Sequence, residues 1–247
     1  MRITVVTVCY NSAATIRDTL SSVHEQDWPD LEHVIIDGAS TDTTADIVAG
    51  FKRDSLRFFS EPDKGIYDAM NKGIKNATGD YIIFLNSDDF FARPDAVRLL
   101  ATRAQETDAD FIFGDTQFVE TPGNPFSKRL YSARGFRPWW LRCGVMPPHP
   151  SMAARRKTLV NLRGFDTETK ISGDFDLLAR AILSQNCSWA TLPVITTMFR
   201  TGGVSTQGLR SKLISGREMA KSLARIGQPF SKITIHCRYL IKARQLL

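Results

Sequence analysis

Short runs of β-branched and aromatic residues alternate with helix-like stretches along the first half of the chain. Such runs predict strands at residues 3–8, 33–36, 57–60, 81–85 and 111–113. Between them, apolar side chains recur every three or four residues at 13–25 and 66–76, which predicts two helices. Strands that alternate with helices are typical of a mainly parallel sheet covered by helices. The first half is therefore predicted to form a doubly wound α/β unit.

The pattern becomes irregular after residue 114. Proline and glycine interrupt residues 122–125, and an aromatic, basic stretch covers 134–142. A helix is then predicted near 174–183 and strands near 188–192 and 194–200. Because the sequence contains no internal repeat and no low-complexity linker, we predict two halves that share one sheet rather than two independent domains.

Residues 205–247 differ from the rest of the chain in charge. They carry nine Lys and Arg side chains against one acid, whereas the whole chain has a formal net charge of +6. Apolar side chains recur at helical spacing in this tail, at Leu209, Leu213, Ala220 and Leu223 and again at Ile233, Cys237, Leu240 and Ile241. We predict two amphipathic helices, which either pack on the body or dock on an anionic membrane surface.

Composition argues against several classes of protein. With 43% hydrophobic and 23% charged residues, the chain matches a globular protein, and no apolar run approaches the roughly 18 residues of a membrane-spanning helix. The four cysteines lie far apart without a C-x-x-C pair, which predicts reduced thiols in the cytoplasm. No nucleic-acid-binding motif accompanies the basic charge, so no nucleic acid partner is expected.

Polar residues cluster directly after three of the predicted strands. The motifs are Cys9-Tyr10-Asn11, Asp37-Gly38-Ala39-Ser40-Thr41-Asp42 and Asn86-Ser87-Asp88-Asp89. Ligands bind beyond the carboxyl ends of the strands in open α/β sheets, so these turns are predicted to form the ligand site. Neither G-x-G-x-x-G nor G-x-x-x-x-G-K-[ST] occurs, which removes the main support for a dehydrogenase or a P-loop NTPase.

The adjacent carboxylates Asp88 and Asp89 predict a divalent cation. Left unpaired in a cleft they would repel each other, and Mg²⁺ or Mn²⁺ prefers such oxygen ligands and commonly shares them with substrate phosphates. The alternative is that these acids cap a helix that begins near Pro94. The other motifs favour the cation and, with it, a diphosphate substrate.

Four motifs in this order resemble the inverting glycosyltransferases of family 2, which have the GT-A fold. They are the three strand-end motifs and Ser172-Gly173-Asp174-Phe175-Asp176. Residues 61–73, E-P-D-K-G-I-Y-D-A-M-N-K-G, further resemble bacterial exopolysaccharide and colanic-acid-type enzymes. The resemblance implies a GT-A catalytic domain at 1–204 with a nucleotide-binding half at about 1–114 and an acceptor half at about 115–204, followed by the basic helical tail at 205–247.

The resemblance also implies roles for individual residues. Asp88 would lie near the ribose, Asp89 would hold the metal, and Asp174 would be the general base, with Asp176 the less favoured base and more often a charge at a helix N-terminus. Further nucleotide-sugar contacts are expected at Tyr10, Asn11, Asp37, Asp42, Lys64 and Gly65, although turns and caps are the competing interpretation for the last four. Acceptor or phosphate contacts are expected at His149, Trp139 and Trp140, where structural packing is the alternative. Residues 202–205 are expected to close over the donor.

Two departures from the family pattern matter. Gly38 stands where the family often has a second acid, which in relatives can contact uracil, so uridine, guanosine and thymidine all stay open as the nucleoside. Asn86 stands where many relatives have Asp, which leaves two carboxylates in that turn rather than three.

The sequence thus predicts an enzyme that moves a sugar from a nucleotide-diphosphate sugar to a lipid-diphosphate-linked saccharide in surface polysaccharide biosynthesis. It would use Mn²⁺ or Mg²⁺ and lie at the cytoplasmic face of the plasma membrane as a peripheral protein. One alternative is a sugar-phosphate nucleotidyltransferase, which would need a glycine-rich, basic triphosphate loop that residues 8–12 do not supply. The other is a non-catalytic nucleotide-sugar-binding protein of the same fold.

Overall fold

The computed structural model describes residues 1–51, 53–119, 129–201, 208–231 and 235. The strands are β1 Ile3–Cys9, β2 Leu31–Asp37, β3 Leu56–Ser60, β4 Tyr81–Phe84, β5 Phe90–Phe91, β6 Phe111–Val119, β7 Leu130–Tyr131, β8 Met152–Arg155 and β9 Trp189–Arg200. The helices are α1 Ile16–His24, α2 Thr44–Ala49, α3 Ile66–Asn76, α4 Ala96–Thr107, α5 Arg156–Asn161, α6 Gly173–Leu178 and α7 Gly208–Arg225. A 3₁₀ turn covers Pro138–Cys143, and a π-helical turn, Ala179–Ser184, continues α6.

All of these strands belong to one sheet, in the order β3-β2-β1-β4-β8-β6-β9-β5, with β7 paired to β6. The first four are parallel to one another, β8 is antiparallel to both of its neighbours, and β6 is parallel to β9. This mainly parallel α/β sheet confirms the predicted fold class. The strand order reverses at β1, between β2 and β4, which is where open α/β sheets bind their ligands.

The core lies on both faces of this sheet. Neighbouring residues such as Val5 and Val6 are both buried but belong to different apolar clusters, because successive side chains of a strand point to opposite faces. Met70 of α3 and Phe175 of α6 pack in the cluster that contains Val6, and Leu100 of α4 packs in the other. These helices are thereby packed against a rigid sheet.

The predicted strands of the first half and the two helices predicted there, α1 and α3, are present. The structure differs from the sequence prediction in three other respects. β6 continues to Val119 instead of ending at 113. The two strands predicted near 188–200 are one strand, β9, which shifts its register against β6 between Phe113 and Asp115. This irregularity accommodates Pro193, since a proline cannot donate to a regular ladder. α2, α5 and β8 are each six residues or fewer, too short to leave a periodic signal.

The first of the two predicted tail helices, α7, packs on the body. Met219 and Leu223 are buried in the core cluster that contains Val6, whereas Leu213 of the same predicted apolar stripe is 51% exposed. The second predicted helix, around Ile233 to Ile241, lies outside the described residues. No helix in the described part of the chain is long and apolar enough to span a membrane.

Candidate active site

The strand directions gather the predicted site residues at one edge of the sheet. β1, β2 and β4 are parallel, so the turns that follow them lie at the same edge. β8 is antiparallel to β4, which places the start of β8 beside the end of β4. His149 lies three residues before β8, and Asp89 follows β4. The second half of the chain therefore contributes to the edge that carries the acidic turn.

Asn11 joins the turn after β1 to the turn after β2. Its Oδ1 accepts the backbone N–H of Thr41 at 2.8 Å and that of Asp42 at 3.3 Å. The backbone at Asn11 is left-handed, with φ of 48°, a conformation that asparagine tolerates better than most residues. The neighbouring Tyr10 is 62% exposed. The joined turns thus present an aromatic ring to solvent at the ligand edge.

Asp37 and Asp42 both accept hydrogen bonds from residues in or next to these turns. Asp37 is fully buried and accepts hydrogen bonds from Ser40 and Ser60; although burial opposes the charge, these bonds lower the pKa of its carboxyl. Asp42 is exposed and accepts from Thr44, whose hydroxyl holds the pKa of Asp42 below its ordinary value. Nucleoside contacts at both residues stay predictions, and the burial of Asp37 argues for an internal, loop-holding role.

Lys64 and Gly65 form the turn that leads into α3. The Lys64 N–H donates to Asp68 at 3.0 Å, and the Gly65 N–H donates to Asp63 at 2.8 Å. Gly65 has φ of 117°, a conformation that glycine adopts without a steric penalty. The turn-and-cap interpretation of this pair is therefore present in the structure. The Lys64 side chain is exposed, and its contact with a diphosphate stays a prediction.

The acidic turn after β4 contains two buried oxygens that receive no hydrogen bond from the described residues. Asp89 is 1% exposed, and its Oδ1 accepts the Arg200 N–H at 3.0 Å. Within the described part of the chain, neither Oδ2 of Asp89 nor Oδ1 of Asn86 has a partner. Burial, followed by the neighbouring charge of Asp88, raises the pKa of Asp89 well above its ordinary value. Two orphaned oxygens in an acidic turn are the ligand type that Mg²⁺ and Mn²⁺ prefer, so the turn fits a divalent cation.

The cation would have to complete its coordination from elsewhere. Among the described residues, no group of three or more His, Cys, Asp and Glu side chains is arranged to hold a metal. Mg²⁺ commonly keeps several waters and shares substrate phosphates when protein carboxylates are few. The few oxygen ligands of this turn would likewise leave coordination positions for water and substrate phosphate.

Asp174 lies in a polar cluster at the start of α6. Its Oδ2 lies 3.6 Å from Nε2 of His149 and 3.5 Å from the hydroxyl of Tyr67, which donates to the carbonyl of Ile171 at 2.8 Å. Burial, with a further contribution from the charge of Asp174, raises the pKa of Tyr67 well above its ordinary value, so its hydroxyl remains a donor. Gly173 allows this approach, since a Cβ there would lie 2.6 Å from the Tyr67 ring. The sequence interpretation did not identify Tyr67.

Asp176 has a different environment from Asp174. It is fully buried and forms ion pairs with Arg180 at 2.7 Å and with Arg225 of α7 at 2.5 Å. A carboxylate that is enclosed by two arginines is in no position to accept a proton from a substrate. These ion pairs argue against its role as the alternative base. Asp176 does lie in the first turn of α6, as the helix N-terminal interpretation predicts, and its ion pair with Arg225 also links α7 to α6.

A second residue of α7 supports the loop that precedes Asp174. The carboxylate of Glu218 accepts the backbone N–H groups of Lys170, Ile171 and Ser172 at 2.8, 3.1 and 2.9 Å. The single acid of the basic tail therefore binds the three residues that enter α6. Nothing in the sequence indicated this contact except that Glu218 is the one acid among nine bases.

The neighbouring residues Trp139 and Trp140 lie in different environments. Trp139 is 56% exposed, whereas Trp140 packs against the core and edge-on to Phe136. Trp139 is thus available to an acceptor and Trp140 serves packing, while acceptor contact at either stays a prediction. The closing loop expected at 202–205 lies outside the described residues.

Comparison with known proteins identifies the family. The profile of Glycosyl transferase family 2 matches residues 4–163, and an uncharacterized glycosyltransferase of Mycobacterium tuberculosis (strain ATCC 25618 / H37Rv) is 31% identical over 209 residues, 83% of this chain and 77% of that protein. S. aureus TarS 1–349 in complex with UDP-GlcNAc shares the fold, with a TM-score of 0.74 and 21% identity over 98% of this chain and 72% of that one. The mannosyltransferase PcManGT from Pyrobaculum calidifontis in complex with GDP-Man and Mn²⁺ has a TM-score of 0.70 and 19% identity, covering 99% of this chain and 72% of that one. With a GT-A sheet and a family profile that covers more than half of its length, the chain belongs to glycosyl transferase family 2.

Proposed function

We propose that this chain transfers a sugar from a nucleoside diphosphate sugar to an acceptor hydroxyl with inversion of the anomeric centre, and that Asp174 is the general base. One observation carries the proposal: Asp174, next to His149 and Tyr67, lies at the sheet edge that also carries Asp88 and Asp89. A base and a diphosphate site are the two parts that direct displacement requires.

The reaction is a single displacement. The acceptor oxygen forms a bond to the anomeric carbon and gives its proton to Oδ2 of Asp174, while the bond from that carbon to the diphosphate oxygen breaks and the nucleoside diphosphate leaves. His149 and Tyr67 lie beside this oxygen, at 3.6 and 3.5 Å. A donor with an α-linked sugar would therefore give a β-linked product.

Asp88 and Asp89, with the amide oxygen of Asn86, would hold Mg²⁺ or Mn²⁺. When bound, such a cation supplies positive charge beside the departing diphosphate. The orphaned oxygens of Asn86 and Asp89 support this assignment, as does the Mn²⁺ in the PcManGT complex. The UDP-GlcNAc bound to TarS supports a nucleotide sugar as donor.

The surface of the acceptor half supports an anionic acceptor, which we propose to be a lipid-diphosphate-linked saccharide of surface polysaccharide biosynthesis. Residues 129–165 contain eight Arg and Lys residues and no Asp or Glu, and the exposed Trp139 lies within this stretch. The outward side chains Lys212, Leu213 and Arg217 of α7 add basic and apolar surface, which supports peripheral binding at the cytoplasmic face of an anionic membrane.

The first turn argues against the nucleotidyltransferase alternative. The backbone N–H groups of Asn11, Ser12 and Ala13 donate to Ser40, Thr44 and Asp42. A triphosphate loop uses such N–H groups to cradle phosphate oxygens, whereas here they are satisfied within the protein. Transfer of a sugar from a preformed nucleotide sugar needs no such loop.

The test is an Asp174→Asn variant, compared with Asp54→Asn at an exposed surface position. Asp174→Asn is expected to bind nucleoside diphosphate with unchanged affinity in calorimetry and to lose transfer by about 100-fold or more, because an amide cannot accept the proton. The substrates are nucleotide sugars with Mn²⁺, and the assay measures release of free nucleoside diphosphate. Transfer at the wild-type rate in Asp174→Asn would remove the base, and binding without release by the wild type would favour a non-catalytic protein.

A further inference from the structure

The space above Gly38 is occupied by a carboxylate from another turn. A Cβ at position 38 would lie 2.5 Å from Oδ2 of Asp63 and 3.4 Å from the ring carbon Cδ2 of Tyr10. Asp63 belongs to the turn between β3 and α3, whereas Gly38 follows β2 and Tyr10 follows β1. Three separate turns thus bring a carboxylate oxygen next to the exposed Tyr10 ring, and only glycine at 38 leaves room for it.

Asp63 is held in this position by its own turn. Its Oδ1 accepts the backbone N–H of Gly65 at 2.8 Å, where φ of 117° favours glycine. Within the described part of the chain, Oδ2 accepts no hydrogen bond. The carboxylate is partly buried, so one fixed acceptor atom is left open beside an aromatic surface.

We propose that Asp63 selects the base of the donor nucleotide, and that the base is uracil or thymine. This inference rests on the proposed function, which places a nucleoside diphosphate at the reversal of strand order with its diphosphate near Asp88 and Asp89. The base stacks on Tyr10, and Oδ2 of Asp63 accepts its ring N3–H. Aromatic stacking combined with hydrogen bonds to the base edge is the usual way in which proteins recognise single bases.

The number of open acceptor atoms distinguishes the bases. Uracil and thymine present one ring N–H between two carbonyl groups, which matches a single open carboxylate oxygen. Guanine presents two adjacent donors, which pair with both oxygens of a carboxylate, but Oδ1 of Asp63 is already engaged by Gly65. Cytosine presents an unprotonated ring nitrogen at the same place, and a carboxylate can only accept hydrogen bonds.

Calorimetric binding of UDP, dTDP, CDP and GDP to the full-length protein with Mg²⁺ tests the inference. The wild type is expected to bind UDP or dTDP at least about 10-fold more tightly than CDP, as a hydrogen bond to a charged group would produce; comparison of the UDP and dTDP arms separates uracil from thymine. In Asp63→Asn the amide oxygen still accepts the Gly65 N–H, while its NH₂ group faces the base and repels N3–H. The preference over CDP is therefore expected to fall to about 1 or below, because the same NH₂ group can donate to the unprotonated ring nitrogen of cytosine.

Gly38→Ala displaces the same carboxylate without changing its charge. It is expected to reduce the preference for UDP over CDP, and the double variant Gly38→Ala/Asp63→Asn should lose no more than Asp63→Asn alone, because both act on one contact. Glu61→Gln is the matched control, since it removes a charge from the same turn at a carboxylate that is 62% exposed and paired with Lys72. It should retain the wild-type preference.

Two results would overturn the inference: an unchanged preference in a folded Asp63→Asn protein, or tighter binding of GDP than of UDP and dTDP by the wild type. A wild-type protein that binds none of the four nucleotides would instead overturn the proposed function, and this inference with it. Thermal unfolding of each variant confirms that altered binding is measured on folded protein.

Discussion

Replacing Glu218 by alanine tests whether the tail helix takes part in catalysis. Its carboxylate accepts three consecutive backbone N–H groups, from residues 170 to 172, immediately before Gly173 and Asp174. Without it, these three backbone donors lose a charged partner. The segment before Asp174 then keeps only side-chain contacts with α7 among the described residues, namely Ser172–Ser215, Glu168–Lys221 and Asp166–Arg225. Glu218→Ala should therefore affect transfer more than donor binding.

The size of the effect can be estimated from the contacts. Hydrogen bonds to a charged group contribute roughly 1.5–3 kcal/mol each, but water can replace the bond at the exposed Lys170. Counting the two partly buried bonds, at Ile171 and Ser172, and allowing for partial solvation gives a loss of about 2–4 kcal/mol in the free energy of unfolding. Because a displacement of about 1 Å can cost on the order of 100-fold in rate, kcat should fall by about 10-fold to 100-fold.

The assay compares kcat, the KM of the donor and the affinity for nucleoside diphosphate. Glu218→Ala should lower kcat and leave nucleotide affinity unchanged, because the turns proposed to bind the nucleotide follow β1, β2 and β4, whereas Glu218 bonds to residues 170–172. Glu218→Gln keeps one acceptor oxygen and should recover part of the rate, and Arg217→Ala, an exposed neighbour on the same helix, is the control. A Glu218→Ala protein that melts earlier but transfers at the wild-type kcat would refute positioning and leave only a structural role.

Two further predictions concern buried groups. Burial lowers the pKa of His33 to about 3 from the ordinary 6.5; since the unfolded chain takes up a proton first as the pH falls, stability should be constant above about pH 6.5 and decrease below it, by about 2 kcal/mol at pH 5. Denaturant unfolding across this pH range should show that the free energy of unfolding decreases less at acid pH in His33→Leu than in the wild type. Gly173→Ala places a methyl group 2.6 Å from the Tyr67 ring and should slow transfer with unchanged nucleotide affinity in calorimetry, whereas normal transfer would show that the position of Tyr67 does not matter.

The sequence was sufficient for features that depend on a single strand and the turn after it. The runs that became β1, β2 and β4 are buried along their length, so apolar composition alone located the polar turns. Contacts between distant segments left no such signal. Tyr67 and Asp174 are 107 positions apart, and nothing in the pattern of α3 or α6 indicates that these two residues meet.

A second limit is that the sequence does not predict which way a side chain points, as Asp37 shows. An aspartate at a strand end is equally compatible with a ligand contact and with a bond to its own loop. A signal for the second was present, since Ser40 lies three residues after Asp37 and short polar side chains commonly bond to the backbone nearby. The same local chemistry explains Asp42 and Thr44. In both cases sequence gave the position of the carboxylate but not the direction in which it points.

The two predicted roles of the basic tail, packing on the body and docking on an anionic membrane, concern different faces of α7. Met219 and Leu223 of α7 point into the core, and Glu218 and Arg225 bond to the loop and to α6, so packing on the body is established for this helix. Arg225 is paired with Asp166 and Asp176 and cannot also serve a membrane. On the face of α7 opposite Met219, Arg217 is exposed. Reversing its charge in Arg217→Glu should therefore weaken binding to anionic vesicles without the loss of kcat expected for Glu218→Ala, because a helix presents its two faces independently.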